Sequence, residues 1–167
     1  FRMKRLHLVT VPMEKDGMDL IALEAMIAKH KPKFIYTMPN NHNPSGITMS
    51  LEKRLKLLEI AQRCGIPIIE EDSLREFRYM EQRIPSLFAL DKQNSVIYLH
   101  SFTLTLPYGV GTGYVLGPQD LAEQIGRCIM INGYDLKNAD HYLINEYIER
   151  GLFTQHTEWL AEHYHKR

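Results

Sequence analysis

Three stretches of this chain carry the residues from which chemistry could be built. Pro39 to Gly46 reads P-N-N-H-N-P-S-G, Ile68 to Tyr79 reads I-I-E-E-D-S-L-R-E-F-R-Y, and Tyr98 to Tyr114 reads Y-L-H-S-F-T-L-T-L-P-Y-G-V-G-T-G-Y. In the third, Ser101 and Thr103 offer hydroxyls and backbone N–H groups, a set able to hold a phosphate, and His100 beside them could line a pocket. Such a site would lack a charge-assisted partner, which is typically about twice as strong as a neutral hydrogen bond. No lysine occurs between Lys92 and Lys137, and no arginine between Arg83 and Arg127. The glycines of G-V-G-T-G look like part of a dinucleotide loop, but that fingerprint must open a helix. Here Tyr114, Val115 and Leu116 resume an apolar strand instead. Glu70, Glu71 and Asp72 either belong to a site or form a solvated strand end. The eight histidines are scattered; His156, His163 and His165 come nearest one another, with no carboxylate or cysteine pattern to complete a metal set.

Each of the three stretches follows an apolar run of strand type. Leu6 to Met13 predicts a strand ending in the polar turn Glu14-Lys15-Asp16-Gly17, and Asp19 to His30 an amphipathic helix on Leu20, Ile21, Leu23, Ala25, Met26 and Ile27, stopped by Pro32. Lys33 to Met38 predicts the next strand. Ser50 is suited to cap a helix running to Cys64 with Leu51, Leu55, Leu58 and Ala61 on one face, closed by Gly65. Ile66 to Ile69 predicts a strand apolar on both faces. An irregular stretch, Ser73 to Asn94, leads to a strand at Val96 to Leu99. Beyond the central loop lie helices over Pro118 to Met130, with Leu121, Ile125 and Cys128 inward, then Asp140 to Arg150 and Phe153 to His165, broken at Gly151. This β-α-β-α-β order predicts an α/β domain, a mostly parallel sheet with helices on both faces. Loops at the carboxyl ends of such strands form the ligand crevice.

At 167 residues and 44% hydrophobic content the chain can bury one core of ordinary size. Twenty basic and twenty acidic side chains cancel, so net charge favours neither nucleic acid nor an anionic membrane. Cys64 and Cys128 are expected as buried, reduced thiols, consistent with a cytoplasmic location. No apolar run approaches the roughly 18 residues of a membrane span.

Ser101, Phe102, Thr105, Leu106, Gly109, Gly113 and Tyr114 fall in register on the pattern S-F-S-K-T-L-x-P-G-x-R-x-G-Y. On these residues the chain resembles the large domain of fold-type-I pyridoxal-phosphate (PLP) enzymes, the class I/II aminotransferases, and most closely the aminotransferase-like domains of GntR/MocR-type transcription regulators. Two positions depart from the pattern. Leu104 stands where the Schiff-base lysine belongs and Gly111 where an arginine would meet the cofactor phosphate. A Schiff base needs a primary amine, which leucine lacks.

The other two stretches carry the same resemblance. Asn43-Pro44-Ser45-Gly46 resembles the N-P-[TS]-G segment whose asparagine bonds the cofactor's ring oxygen. Ile68 to Tyr79 resembles I-I-E-D-D-Y-x-x-E-F-R-Y, which implies Glu71 at the aspartate that pairs with the pyridine nitrogen and Ser73 at the tyrosine that bonds the ring hydroxyl. Glu71 is one methylene too long for that seat, and Asp72 should point the other way. Glu76-Phe77-Arg78-Tyr79 matches in full, with an implied structural role. The implied degenerate site is thus Asn43, Glu71, Ser101 and Thr103, with Ser73, Leu104 and Gly111 at the lost tyrosine, lysine and arginine positions.

The resemblance covers nearly all of this chain but well under half of a family member, so residues 1–167 are expected to be a single partial large domain whose last helix leads toward a small domain. It implies a non-catalytic effector-sensing or dimerisation role, no covalent PLP, a small-molecule effector and a homodimer in the full-length protein. DNA would be reached only through a winged-helix domain absent from this chain. The alternative is a fragment of a PLP-dependent class I/II aminotransferase, with PLP as cofactor.

Overall fold

The computed structural model describes residues 6–77, 84–106, 111–132 and 138–165. Arg78, Tyr79 and Gly109, on which part of the motif matching rests, lie outside the described residues. The chain forms two compact units: one of residues up to Glu70 together with Ile84–Val96, the other of residues from Glu71 and from Ile97 onward.

In the first unit, β1 (Met13–Glu14) turns back into β2 (Gly17–Met18) as a small antiparallel hairpin. The long strand expected from Leu6 to Met13 does not form, since residues 6–12 carry no strand. Pro12 lacks the N–H a ladder needs, and its carbonyl oxygen is taken by the Asp19 N–H at 2.9 Å. Helix α1 (Leu20–His30) is capped by Asp19, whose carboxylate accepts from the Ala22 N–H, and closes on Lys31 in the left-handed region. Leu23 and Ile27 face inward, while Ile21, expected on that face, is exposed.

β3 (Ile35–Thr37) pairs in parallel with β4 (Ile68–Glu71), Ile35 opposite Ile68 and Thr37 opposite Glu70. Between them runs α2 (Leu51–Cys64), with Ser50 accepting from the Lys53 N–H and Gly65 at φ 64° as the C-cap, both as the sequence predicts. Its buried face is rotated from the expected one. Leu57, Leu58, Ile60, Ala61 and Arg54 are inside, and Leu51 and Leu55 are exposed. Two apolar stripes overlap on this helix, and the one headed by Arg54 goes in because carbonyl groups wait there for its guanidinium. Leu57 and Ile68 are fully covered at the centre of the core with Leu87 and Val96.

Residues 84–96 add the short helix α3 (Leu87–Leu90) within a stretch expected to be irregular. Ser86 caps it, and the buried Glu70 carboxylate accepts the Leu87 and Phe88 N–H groups at 2.9 and 2.8 Å. Asp91 then accepts three backbone N–H groups, from Gln93, Ser95 and Val96.

In the second unit, β5 (Val96–Ser101) carries most of its length and pairs antiparallel with β6 (Gly113–Leu116), His100 opposite Tyr114 and Ser101 opposite Gly113. The Asp72 N–H bonds the Leu99 carbonyl oxygen here, as the Ile68 N–H bonds that of Ser95 in the first unit. The strand order is therefore β3-β4-β5-β6, a mixed sheet. A Cβ on Gly113 would collide with the His100 carbonyl oxygen, so only glycine fits at this crossing.

Helices α4 (Gln119–Ile131), α5 (Asn138–Glu149) and α6 (Leu152–His165) follow, the last two separated by Gly151 at φ 70°. No side chain of α4 is fully buried; Leu121 and Ile125 are half-buried and Cys128 is exposed. Cys64 is exposed as well, so neither thiol is the buried one expected. Cys64 is the last residue of α2, past the apolar stripe, and α4 has no covering layer among the described residues. No described helix is long and apolar enough to cross a membrane.

Candidate functional site

Strand alternation puts two of the predicted site residues, Glu71 and Ser101, on the more open positions of their strands. Along β4 the buried positions are Ile68 and Glu70, and burial continues at Asp72; along β5 they are Val96, Tyr98 and His100. Glu71 and Ser101 fall on the alternate, more open positions. Asp72 thus points away from Glu71, as expected.

After Ser101 the chain makes a 3₁₀ turn, Phe102–Leu104. The Ser101 hydroxyl lies 2.8 Å from that of Thr103 and also accepts the Thr103 N–H at 3.3 Å, so the two hydroxyls are committed to holding the turn. Phe102 turns inward, while Thr103 is exposed and Leu104 stands 55% exposed at the tip. Thr105 is buried and donates to the Phe102 carbonyl oxygen. Ser73 is buried in the turn after β4. Gly111 is exposed, and a side chain built there would meet open space.

His100 does not line this side. It is buried in β5, stacked on Tyr114 with ring centroids 5.0 Å apart and edge-on to Phe102 at 4.9 Å. Its Nδ1 donates to the Asp72 carbonyl oxygen at 3.1 Å, which leaves Nε2 facing Glu76 Oε1 at 3.8 Å. Around it lies a polar network that the sequence reading missed. Tyr98 donates to Asp72 Oδ2 at 3.0 Å and receives Arg75 Nη1 at 3.5 Å. Burial pushes the Tyr98 and Tyr114 phenols up. Burial likewise pushes the Glu76 carboxyl up, opposed by the nearby imidazole, and Glu76 Oε2 is covered without a hydrogen-bond partner among the described residues. The signal in the sequence was the alternation of Tyr98 and His100 with apolar neighbours.

Asn43 belongs to the first unit. It is exposed near the tip of the Pro39 to Met49 loop, next to a cis Asn43–Pro44 peptide. The loop closes on itself through the Gly46 N–H to His42, the His42 N–H to Ile47, and His42 Nδ1 against the Ser45 hydroxyl. Its base is clamped by Arg54, fully buried, which donates Nε to the Met49 carbonyl oxygen, Nη1 to that of Pro85 and Nη2 to that of Pro39 and to Asn40 Oδ1. A guanidinium fork is the one side chain that can serve this many acceptors at fixed angles. The arginine was visible in the sequence only as one of six charged residues on an amphipathic helix. Among the described residues no group of three or more His, Cys, Asp or Glu side chains could hold a metal ion.

Residues 1–134 match the family model for aminotransferase class I and II. Over 172 residues the chain is 30% identical to 2-aminoadipate transaminase of Thermus thermophilus, covering 100% of this chain and 43% of that protein. Over 160 residues it is 24% identical to the uncharacterized HTH-type transcriptional regulator YisV of Bacillus subtilis, covering 96% of this chain and 33% of the relative. Among solved structures it superposes on LysN, an alpha-aminoadipate aminotransferase from Thermus thermophilus crystallised with N-(5'-phosphopyridoxyl)-L-leucine, at a TM-score of 0.88 and 28% identity, covering 95% of this chain and 41% of that one. The chain spans less than half the length of each.

Proposed function

Because the chain belongs to the aminotransferase class I and II family, we propose that it is a non-catalytic, aminotransferase-like effector-sensing and dimerisation domain of a GntR/MocR-type transcription regulator. Its fold is α/β, part of a PLP-dependent-transferase large domain. The observation that carries the reading is the turn after β5, where Leu104 stands 55% exposed with no described amine beside it in sequence; in this reading Leu104 occupies the position of the cofactor-bonding lysine.

The donor set does not fit a covalently held PLP. Ser101 and Thr103 spend their hydroxyls on each other, and Gly111 offers no guanidinium although there is room for one. Glu71 is one methylene longer than the aspartate of the pattern. In this reading Glu71, Ser101 and Thr103 of the second unit are the positions offered to a small, unphosphorylated effector, and Ser73, Leu104 and Gly111 mark the lost tyrosine, lysine and arginine. The full-length protein is a cytoplasmic homodimer that reaches DNA through a winged-helix domain outside this chain. The regulator among the relatives supports this placement.

The test is to incubate the chain with PLP, reduce with borohydride and read the intact mass. No covalent label is expected, and a stable label on any lysine refutes the proposal. The second reading, a fragment of a PLP-dependent aminotransferase, is favoured by the 30% identity to a transaminase over the full chain. It requires the amine from elsewhere, so a reducible label would select it.

A further inference from the structure

Outside the degenerate site, the second unit holds a cavity of about 560 Å³ between α5, α6 and the turn at Leu106. Its walls are Leu106, Leu143, Ile144, Tyr147 and Leu152, an apolar lining of two helices and a loop, and its volume falls in the range of about 300 to 1,000 Å³ usual for small-molecule sites. Two charged residues, Glu146 and Arg150, line the same cavity. They form an ion pair one helical turn apart, with Arg150 Nε and Nη2 both bonded to Glu146 Oε2 at 3.1 and 2.9 Å. Because both bonds fall on one oxygen, Glu146 Oε1 and Arg150 Nη1 are left without a hydrogen-bond partner among the described residues. The pair therefore presents one acceptor and one donor of opposite charge, side by side, next to an apolar space.

That arrangement is complementary to a zwitterion carrying a hydrocarbon tail. We propose that this cavity is a second ligand site that takes a free α-amino acid with a large apolar or aromatic side chain, its carboxylate on Arg150 Nη1, its ammonium on Glu146 Oε1 and its side chain against Leu143, Ile144 and Leu152. Neither charge of the resident pair has to give up its existing bond. His156 connects the site to an optical signal and to the loop. It lines the cavity, bonds the Thr105 carbonyl oxygen through Nε2 at 2.8 Å, and stacks with its ring centroid 6.2 Å from that of Trp159, the only tryptophan in the chain. Occupancy thus reaches the turn that carries Leu104 through one hydrogen bond.

The site is tested on the whole chain by following Trp159 fluorescence and calorimetric heat during titration with L-phenylalanine, 3-phenylpropionate, which lacks the ammonium, and phenethylamine, which lacks the carboxylate. L-Phenylalanine is expected to bind saturably, and each one-charge analogue about tenfold or more weaker, the size of a lost hydrogen bond to a charged group. Arg150→Gln should remove the advantage of L-phenylalanine over phenethylamine, and Glu146→Gln its advantage over 3-phenylpropionate. Leu143→Asp, at an exposed position, should abolish binding of all three while the melting curve shows the chain still folded. The proposal is overturned by three results: no saturable binding of L-phenylalanine, binding indifferent to all three substitutions, or sedimentation showing that Leu143→Asp dissociates a dimer while no amino acid binds.

Discussion

Glu76→Gln should stabilise this chain at neutral pH and lose that advantage in acid. The wild-type carboxyl is covered, its Oε2 has no partner among the described residues, and its nearest cation candidate, His100 Nε2, stands 3.8 Å from Oε1, beyond hydrogen-bond reach. Burial accordingly raises its pKa. A group raised in the folded state contributes stability that is fully present below its unfolded value, about 4.3 for glutamate, and is lost as pH rises through the folded value. Above that window the native state holds an under-solvated carboxylate. Leaving such a group unsatisfied costs roughly 1–3 kcal/mol. Glutamine removes the charge and can donate to the free imidazole nitrogen. Thermal unfolding by circular dichroism at pH 7.5 should therefore show Glu76→Gln melting about 2–4 °C higher per kcal/mol recovered, and the difference should shrink toward zero near pH 4. Equal differences at both pH values, or a variant less stable than wild type at pH 7.5, would refute the reasoning.

The remaining predictions concern single residues within each unit. Asp91 sits in a partly buried turn, where burial opposes ionisation but the N–H groups of Gln93, Ser95 and Val96 outweigh it and hold its pKa down. Asp91→Ala should lose about 1–3 kcal/mol in urea titrations above pH 5, a deficit that closes as pH falls through the depressed native value, the opposite sign to Glu76. Arg54→Met should cost at least about 1–3 kcal/mol by leaving its carbonyl partners without their donor, and Arg54→Lys should not restore the loss because an ammonium cannot fork; equal urea midpoints for wild type and Arg54→Lys would exclude the clamp. Gly113→Ala should be strongly destabilising, whereas Gly111→Arg, built into open space, should shift stability by less than about 0.5 kcal/mol. Similar melting temperatures for the two glycine variants would contradict the crossing geometry. Leu104→Lys alone should yield no transamination in the full-length protein, measured by keto-acid release, because Glu71, Ser73 and Gly111 remain.

The helices were legible wherever a cap and a periodic stripe agreed. Asp19 and Ser50 start α1 and α2, and Gly65 and Gly151 close α2 and separate α5 from α6, as read from the residues. What failed was orientation. Leu58 and Ala61 are buried as read, but Leu51 and Leu55 satisfy helical spacing with them as well as Arg54 and Leu57 do, and only the carbonyl groups gathered from Pro39, Met49 and Pro85 decide for the stripe containing Arg54. The first strand failed because an apolar run says nothing about a partner, and Pro12 removes a donor at the decisive place. In the candidate site, alternation along β4 and β5 was enough to separate Glu71 and Ser101 from the buried Glu70 and His100. The burial of His100, by contrast, depends on Tyr114 arriving across an antiparallel pair, a contact 14 residues away that no local pattern contains.

One strand, β5, carries two obligations that do not interfere. Its inward side is committed to the packed network of Tyr98 and His100, and its outward side ends at Ser101 and the exposed turn. A substitution on the outward side therefore leaves the packed network of the inward side untouched, so the surface next to the turn can change while the strand keeps its partners.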